Sequence, residues 1–146
     1  MKSIETQVII HAPLNQVWQT LMVFKNYPNW NPFIQSITGN PQEGKSLVVS
    51  IHPPGKSSMT FTPVVLKNEF HKEFRWKGKL GMTGIFDGEH YFKLEKVREN
   101  KTRLIHGEKF TGLLTLPFLA LIGENTKNGF EQMNQALKNQ VEKQER

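Results

Sequence analysis

Three residues could carry chemistry together: His90, His106 and Glu108. They offer two imidazoles and one carboxylate. An imidazole titrates near neutral pH, and a carboxylate beside it raises its basicity, which general acid–base chemistry can use. Whether the three meet depends on strand parity. From Ile85 onward, Phe86, Gly88, His90, Phe92 and Leu94 fall on one face by period two. Asp87, Glu89, Tyr91, Lys93 and Glu95 fall on the other. The apolar face must be the inner one. In the following segment Leu104, His106, Glu108 and Phe110 share a face, opposite to Arg103, Gly107, Lys109 and Thr111. A hairpin turning around Glu99 sets His90 opposite Glu108. A slip of two residues still leaves them diagonal neighbours.

A carboxylate is costly to bury alone, so Glu108 should pair with a histidine or meet water. Three roles fit such a cluster: an internal pair that pins the sheet, an anchor for one polar atom of a ligand, or a general base. Two imidazoles and a carboxylate also form an acceptable zinc or iron set. Zinc–nitrogen bonds of about 2.0–2.1 Å demand close convergence, however, which opposed strand side chains rarely reach without a third element. Neither a metal nor another cofactor is expected.

Long strands and a helix must position these residues. Ser3 to His11 alternates, with Ile4, Thr6, Val8 and Ile10 on one face. Ala12-Pro13 switches the pattern, and Val17, Trp18 and Leu21 follow at helical spacing, so 13–23 reads as an amphipathic helix with Trp18 in the core beneath it. Pro28 and Pro32 allow only a short helical turn between them. Strands are expected at 33–38, around Leu47 to Ile51, along Met59, Phe61, Pro63 and Val65 as one strand, and over 70–77. Ile85 to Val97 and Lys101 to Leu113 read as a long hairpin. Ile122, Thr126, Phe130, Met133, Leu137 and Val141 form one stripe of a helix over 117–142, about 40 Å long. Strands and helices do not alternate, which disfavours a parallel doubly wound sheet and favours an antiparallel α+β domain.

The chain has 146 residues, enough for a single domain with a real core over 1–146. It has no cysteine, which excludes disulfides, thiolate zinc sites and cysteine nucleophiles. No apolar region follows Met1-Lys2-Ser3, and Leu113 to Ile122 is short and broken by Pro117. A cytoplasmic protein without stable membrane insertion is expected. The formal charge of +6 raises the question of an anionic partner. Lysines and arginines alternate with glutamates along the chain, however, as on a solvated mixed face. The glycine-rich stretch Gly78 to Gly84 lacks the Gly-Lys-Ser/Thr ending of a phosphate loop and reads as a loop over a cavity mouth.

Aromatic residues are numerous, and most such residues are simply core. Trp30 and Phe33, beside the proline-bounded loop, are candidates for a cavity rim. Phe61, Trp76, Phe86, Phe92 and Phe110 are candidates for its walls. Phe118, Leu119 and Ile122 are candidates for a gate, and Phe130 and Met133 for a lining from the helix. Met22, Met59 and Met82 would suit an adaptable lining too.

The order of elements and several local signals resemble the helix-grip superfamily, often called SRPBCC. It spans the birch-pollen-allergen type, START domains and polyketide cyclase-like proteins. Ile9-Ile10-His11-Ala12-Pro13 with Val17-Trp18 is similar to its opening. Tyr27-Pro28-Asn29-Trp30-Asn31-Pro32-Phe33 resembles its Tyr-x-x-Trp-Asn-Pro-Phe segment. Gly88-Glu89-His90-Tyr91-Phe92, Thr102-Arg103-Leu104, Glu108-Lys109-Phe110 and Gly112 resemble its last hairpin, and Phe130-Glu131-Gln132-Met133-Asn134 with Leu137 its closing helix. The resemblance implies a curved sheet of about seven antiparallel strands gripping a long C-terminal helix around a cavity. It does not imply one function.

The expected function is the binding or carrying of a small hydrophobic molecule: a lipid, a sterol or an aromatic, polyketide-like compound. The alternative is a cyclase-, dehydratase- or hydrolase-like enzyme using His90, His106 and Glu108. A nucleic-acid partner is not expected. The outward Arg75, Lys77, Lys93, Arg103 and Lys109 would make a basic face, but only Tyr91 would offer it an exposed stacking ring.

Overall fold

The computed structural model describes residues 2–79 and 87–144, with the side chains of Lys79 and Phe118 outside that description. Among the described residues, eight strands form two antiparallel sheets. The larger sheet has the order β1 (Lys2–Ile10), β8 (Lys101–Thr111), β7 (Asp87–Arg98), β6 (Glu73–Lys79), β5 (Val64–Glu69). The smaller has β2 (Ile34–Gly39), β3 (Leu47–Ile51) and β4 (Met59–Phe61). A bridge between Ser46 and Val64 joins them into one curved surface. Between β1 and β2 lie helix α1 (Leu14–Met22), a 3-10 turn (Phe24–Asn26) and helix α2 (Tyr27–Trp30). The chain closes with helix α3 (Thr115–Gln144), about 45 Å long and laid across the larger sheet. This is the helix-grip arrangement.

The core sits where the expected stripe meets the inner sheet face. Phe130, Met133, Leu137 and Val141 of α3 are completely buried, as are Ile10, Leu104 and Val17. Each such side chain stabilises the fold by roughly 1.5–3 kcal/mol. Trp18 is buried under α1. Gly112, at φ 117°, lets the chain leave β8 and enter α3, a backbone conformation that favours glycine.

Two boundaries differ from the sequence pattern. Met59 to Val65 is not one strand. Thr62-Pro63 separates β4 of the small sheet from β5 of the large one, and Met59 is half exposed rather than lining the interior. Proline has no N–H for a ladder, and the chain changes sheets there. The strand expected from Phe70 starts at Glu73, because His71 takes φ 66° in a tight turn and Phe70 is 72% exposed. Gly78 belongs to β6. The rest of the glycine-rich stretch, with Met82, lies outside the described residues.

Candidate functional site

The β7–β8 register pairs His90 with Glu108 across the hairpin. His90 Nδ1 lies 3.0 Å from Glu108 Oε1, and His90 Nε2 lies 2.7 Å from His106 Nε2. The three residues therefore form a line, with the nitrogens facing one another rather than a common metal position. The line continues inward. His106 Nδ1 is 2.8 Å from Asn134 Oδ1, on α3. Asn134 Nδ2 donates to Thr6 Oγ1 at 2.7 Å, and Thr6 donates to the His106 carbonyl at 2.9 Å. Five side chains from β1, β7, β8 and α3 thus make one connected polar string through an apolar interior.

Rings enclose the two imidazoles. Trp76 stacks on His90 with centroids 4.8 Å apart, and Phe130 stacks on His106 at 4.3 Å. Phe92 touches both. His106 is fully buried and His90 nearly so. Burial first, and then the neighbouring His90, hold His106 well below the usual imidazolium range, so it stays neutral.

Glu108 is the accessible end of the string, with 20% of its side chain exposed. Glycine makes its seat. A Cβ on Gly88 would come within 2.0 Å of Glu108 Oε2, so only glycine admits the carboxylate there. Gly88 pairs with Gly78 on β6, and the Phe61 ring packs over Gly78. Phe110 is buried beside Gly88 on β8. The sheet floor is thus backbone on β6 and β7, with a carboxylate and an aromatic ring above it.

The remaining candidates divide. Phe33 is buried against Phe130, with centroids 5.5 Å apart, and its ring occupies the space a side chain at Gly129 would need. Met133 is buried on the same helix, and Ile122 is half-buried further toward the helix start. Trp30 does not join Phe33 at a rim. It lines a separate depression of about 210 Å³ with Gln16, Gln19, Thr20, Val23, Asn26, Gln140 and Gln144, toward the far end of α3. Phe86 and the side chain of Phe118 lie outside the described residues. Tyr91 is not an exposed ring. It is 2% exposed on the outer face, with Arg75 4.6 Å and Lys93 5.0 Å from its ring centre and its hydroxyl on Glu5 at 2.6 Å.

With fold and site in place, the likeness to known proteins is informative. A family model described as polyketide cyclase / dehydrase and lipid transport matches residues 1–142. The chain belongs to that family. No curated protein matches. Among solved structures, an aromatase/cyclase from Streptomyces sp. R1128 shares 14% identity at a TM-score of 0.76, covering 99% of this chain and 96% of that one. A START superfamily protein from Mycobacterium smegmatis shares 19% identity at 0.76, covering 97% and 98%. A norcoclaurine synthase from Thalictrum flavum shares 14% at 0.74, covering 99% and 96%. These likenesses show the fold.

Two members of the string escape a reading of the hairpin alone. Thr6 is legible as an inward residue of β1, yet nothing in its segment marks its hydroxyl as part of a site. Asn134 stands four residues after Phe130, on the buried face of the family's closing helix. A polar residue on that face was the available signal. Among the described residues, no helix is long and apolar enough to cross a membrane.

Proposed function

We propose that this family member binds a small, largely apolar molecule between the larger sheet and α3, and holds one polar atom of it on Glu108. One observation carries the reading: Glu108 is the partly exposed end of an otherwise buried polar string, seated over glycines and flanked by aromatic rings. Ligand sites commonly combine apolar walls with a few fixed polar groups. The family's description, which includes lipid transport, supports a carrier of a lipid or a polyketide-like compound. In this reading the ligand is a lipid, a sterol or an aromatic, polyketide-like compound, and the protein works as one domain in the cytoplasm without cofactor or nucleic acid. The convex face supports leaving nucleic acid aside. Arg75 pairs with Glu73 and Glu89, Arg103 pairs with Glu95, and Tyr91 is covered.

A second reading has its own support. An imidazole nitrogen 3.0 Å from a carboxylate oxygen is placed for proton transfer, as a cyclase or dehydratase needs. Comparing native and denatured masses of freshly purified protein tests the first reading. A reproducible extra mass lost on denaturation supports a carrier. A clean mass, with no thermal shift across fatty acids, sterols and aromatic polyketides, counts against it. Glu108→Gln separates the two readings. A carrier changes its affinity, whereas an enzyme loses turnover.

A further inference from the structure

The string behind Glu108 fixes where its protons sit. The His106 carbonyl can only accept, so the Thr6 hydroxyl gives its hydrogen to that oxygen, 2.9 Å away. Thr6 Oγ1 can then only accept from Asn134, so the atom 2.7 Å from it must be the amide nitrogen. That orients the amide. Asn134 Oδ1 accepts at 2.8 Å, and the hydrogen of His106 is on Nδ1. Neutral His106 therefore presents a bare Nε2, and His90 must donate its own Nε2–H across 2.7 Å.

The 3.0 Å contact between His90 Nδ1 and Glu108 Oε1 remains. With no proton there, two lone pairs would face each other. With two, a net positive charge would sit among Trp76, Phe92 and Phe130. One proton satisfies the contact, whether it rests on Nδ1 or on Oε1. In both forms Glu108 Oε2 has no hydrogen and is an acceptor.

We propose that His90 and Glu108 hold a single proton between them, so that the anchor is electrically neutral, and that Glu108 Oε2 selects an uncharged hydroxyl donor, an alcohol or a phenol. The selection rests on the ligand-binding reading above. The proton does not. An ether or ketone brings a second acceptor to Oε2. A carboxylate or an ammonium brings an unbalanced charge to a site that has none to offset it.

Two measurements separate these parts. Nitrogen-15 NMR of histidine-labelled protein at pH 7 reads the protons directly. His106 is expected to carry its hydrogen on Nδ1 with a bare Nε2. His90 is expected to be protonated on Nε2, with Nδ1 either protonated or hydrogen-bonded. A hydrogen on His106 Nε2, or a free lone pair at His90 Nδ1, overturns the proposal. For the selection, titration compares 2-naphthol with 2-methoxynaphthalene, 2-naphthoate and 2-naphthylmethylammonium. Naphthol is expected to bind about tenfold or more tighter than each, the effect of leaving a buried acceptor unpaired or a charge unbalanced. Equal or tighter binding of any other probe overturns the selection. Failure of all four overturns the selection together with the binding reading, while the spectrum still decides the proton.

Discussion

The two halves of α3 meet the protein differently. In the C-terminal half Phe130, Met133, Leu137 and Val141 are completely buried. Lys138 Nζ donates to the Ile9 carbonyl at 2.9 Å, and Glu142 accepts from the His11 N–H at 2.8 Å. In the N-terminal half Leu116 is 63% and Leu121 74% exposed, just after Leu113 at 83%. An Asn125 hydrogen bond to the Pro54 carbonyl, 2.7 Å, ties that half to the β3–β4 loop. The buried half is the platform that holds Asn134 in the polar string. The exposed half removes little apolar area from water, and local opening is cheapest where such burial is small. One helix thus combines a fixed reference for the site with a loosely packed end, where the proposed ligand would enter.

Truncations should show the difference between the two halves most visibly. Phe130→Ala should cost about 3–5 kcal/mol in urea unfolding, because it opens a cavity against Phe33 and His106. Leu121→Ala should stay within about 0.5 kcal/mol. Similar losses at both positions would dissolve the contrast.

The polar string should show the next effect. Asn134→Leu takes the Asn134 Oδ1 partner from the buried His106 Nδ1, at a cost of about 1–3 kcal/mol by the same measurement. A neutral result would mean that the string adds nothing to the platform.

The pH dependence sharpens the same point. His106 is held below its ordinary range in the folded protein, mainly by burial. As pH falls below about 6.5 the unfolded chain takes up a proton there that the folded chain refuses, so stability falls with pH. Its contribution is fully present above that value and is lost as pH drops toward the depressed folded pKa. Between pH 7.5 and 5.5 the wild type should lose more stability than His106→Asn, by on the order of 1 kcal/mol. Equal losses would mean that His106 protonates in place. At the exposed end, Leu116→Ser should change stability by less than about 0.5 kcal/mol at either pH.

How far the sequence was legible follows from which rules are strict. Side chains alternate strictly along a strand, so parity and one turn were enough to set His90 opposite Glu108. The stripe on α3 was readable because four of its members are buried together. The break at Thr62-Pro63 was not readable, since Phe61 and Val65 keep the same parity across it and the change of sheet depends on curvature between distant strands. Tyr91 looked exposed because its strand neighbours are charged. Arg75 and Glu5, which cover it, arrive from other strands through the register. Asn134 and Thr6 join the site by the same kind of long-range pairing, 128 residues apart.

The central claim is that a ligand enters between the glycine floor and α3 and stops at Glu108. Titrating 2-naphthol into nitrogen-15-labelled protein and mapping the shifted amide signals tests it most directly. The account predicts saturable shifts centred on Gly78, Gly88, His90 and Glu108, weakened in Glu108→Gln. Shifts confined to the Trp30 depression, or none at saturating naphthol, would contradict it.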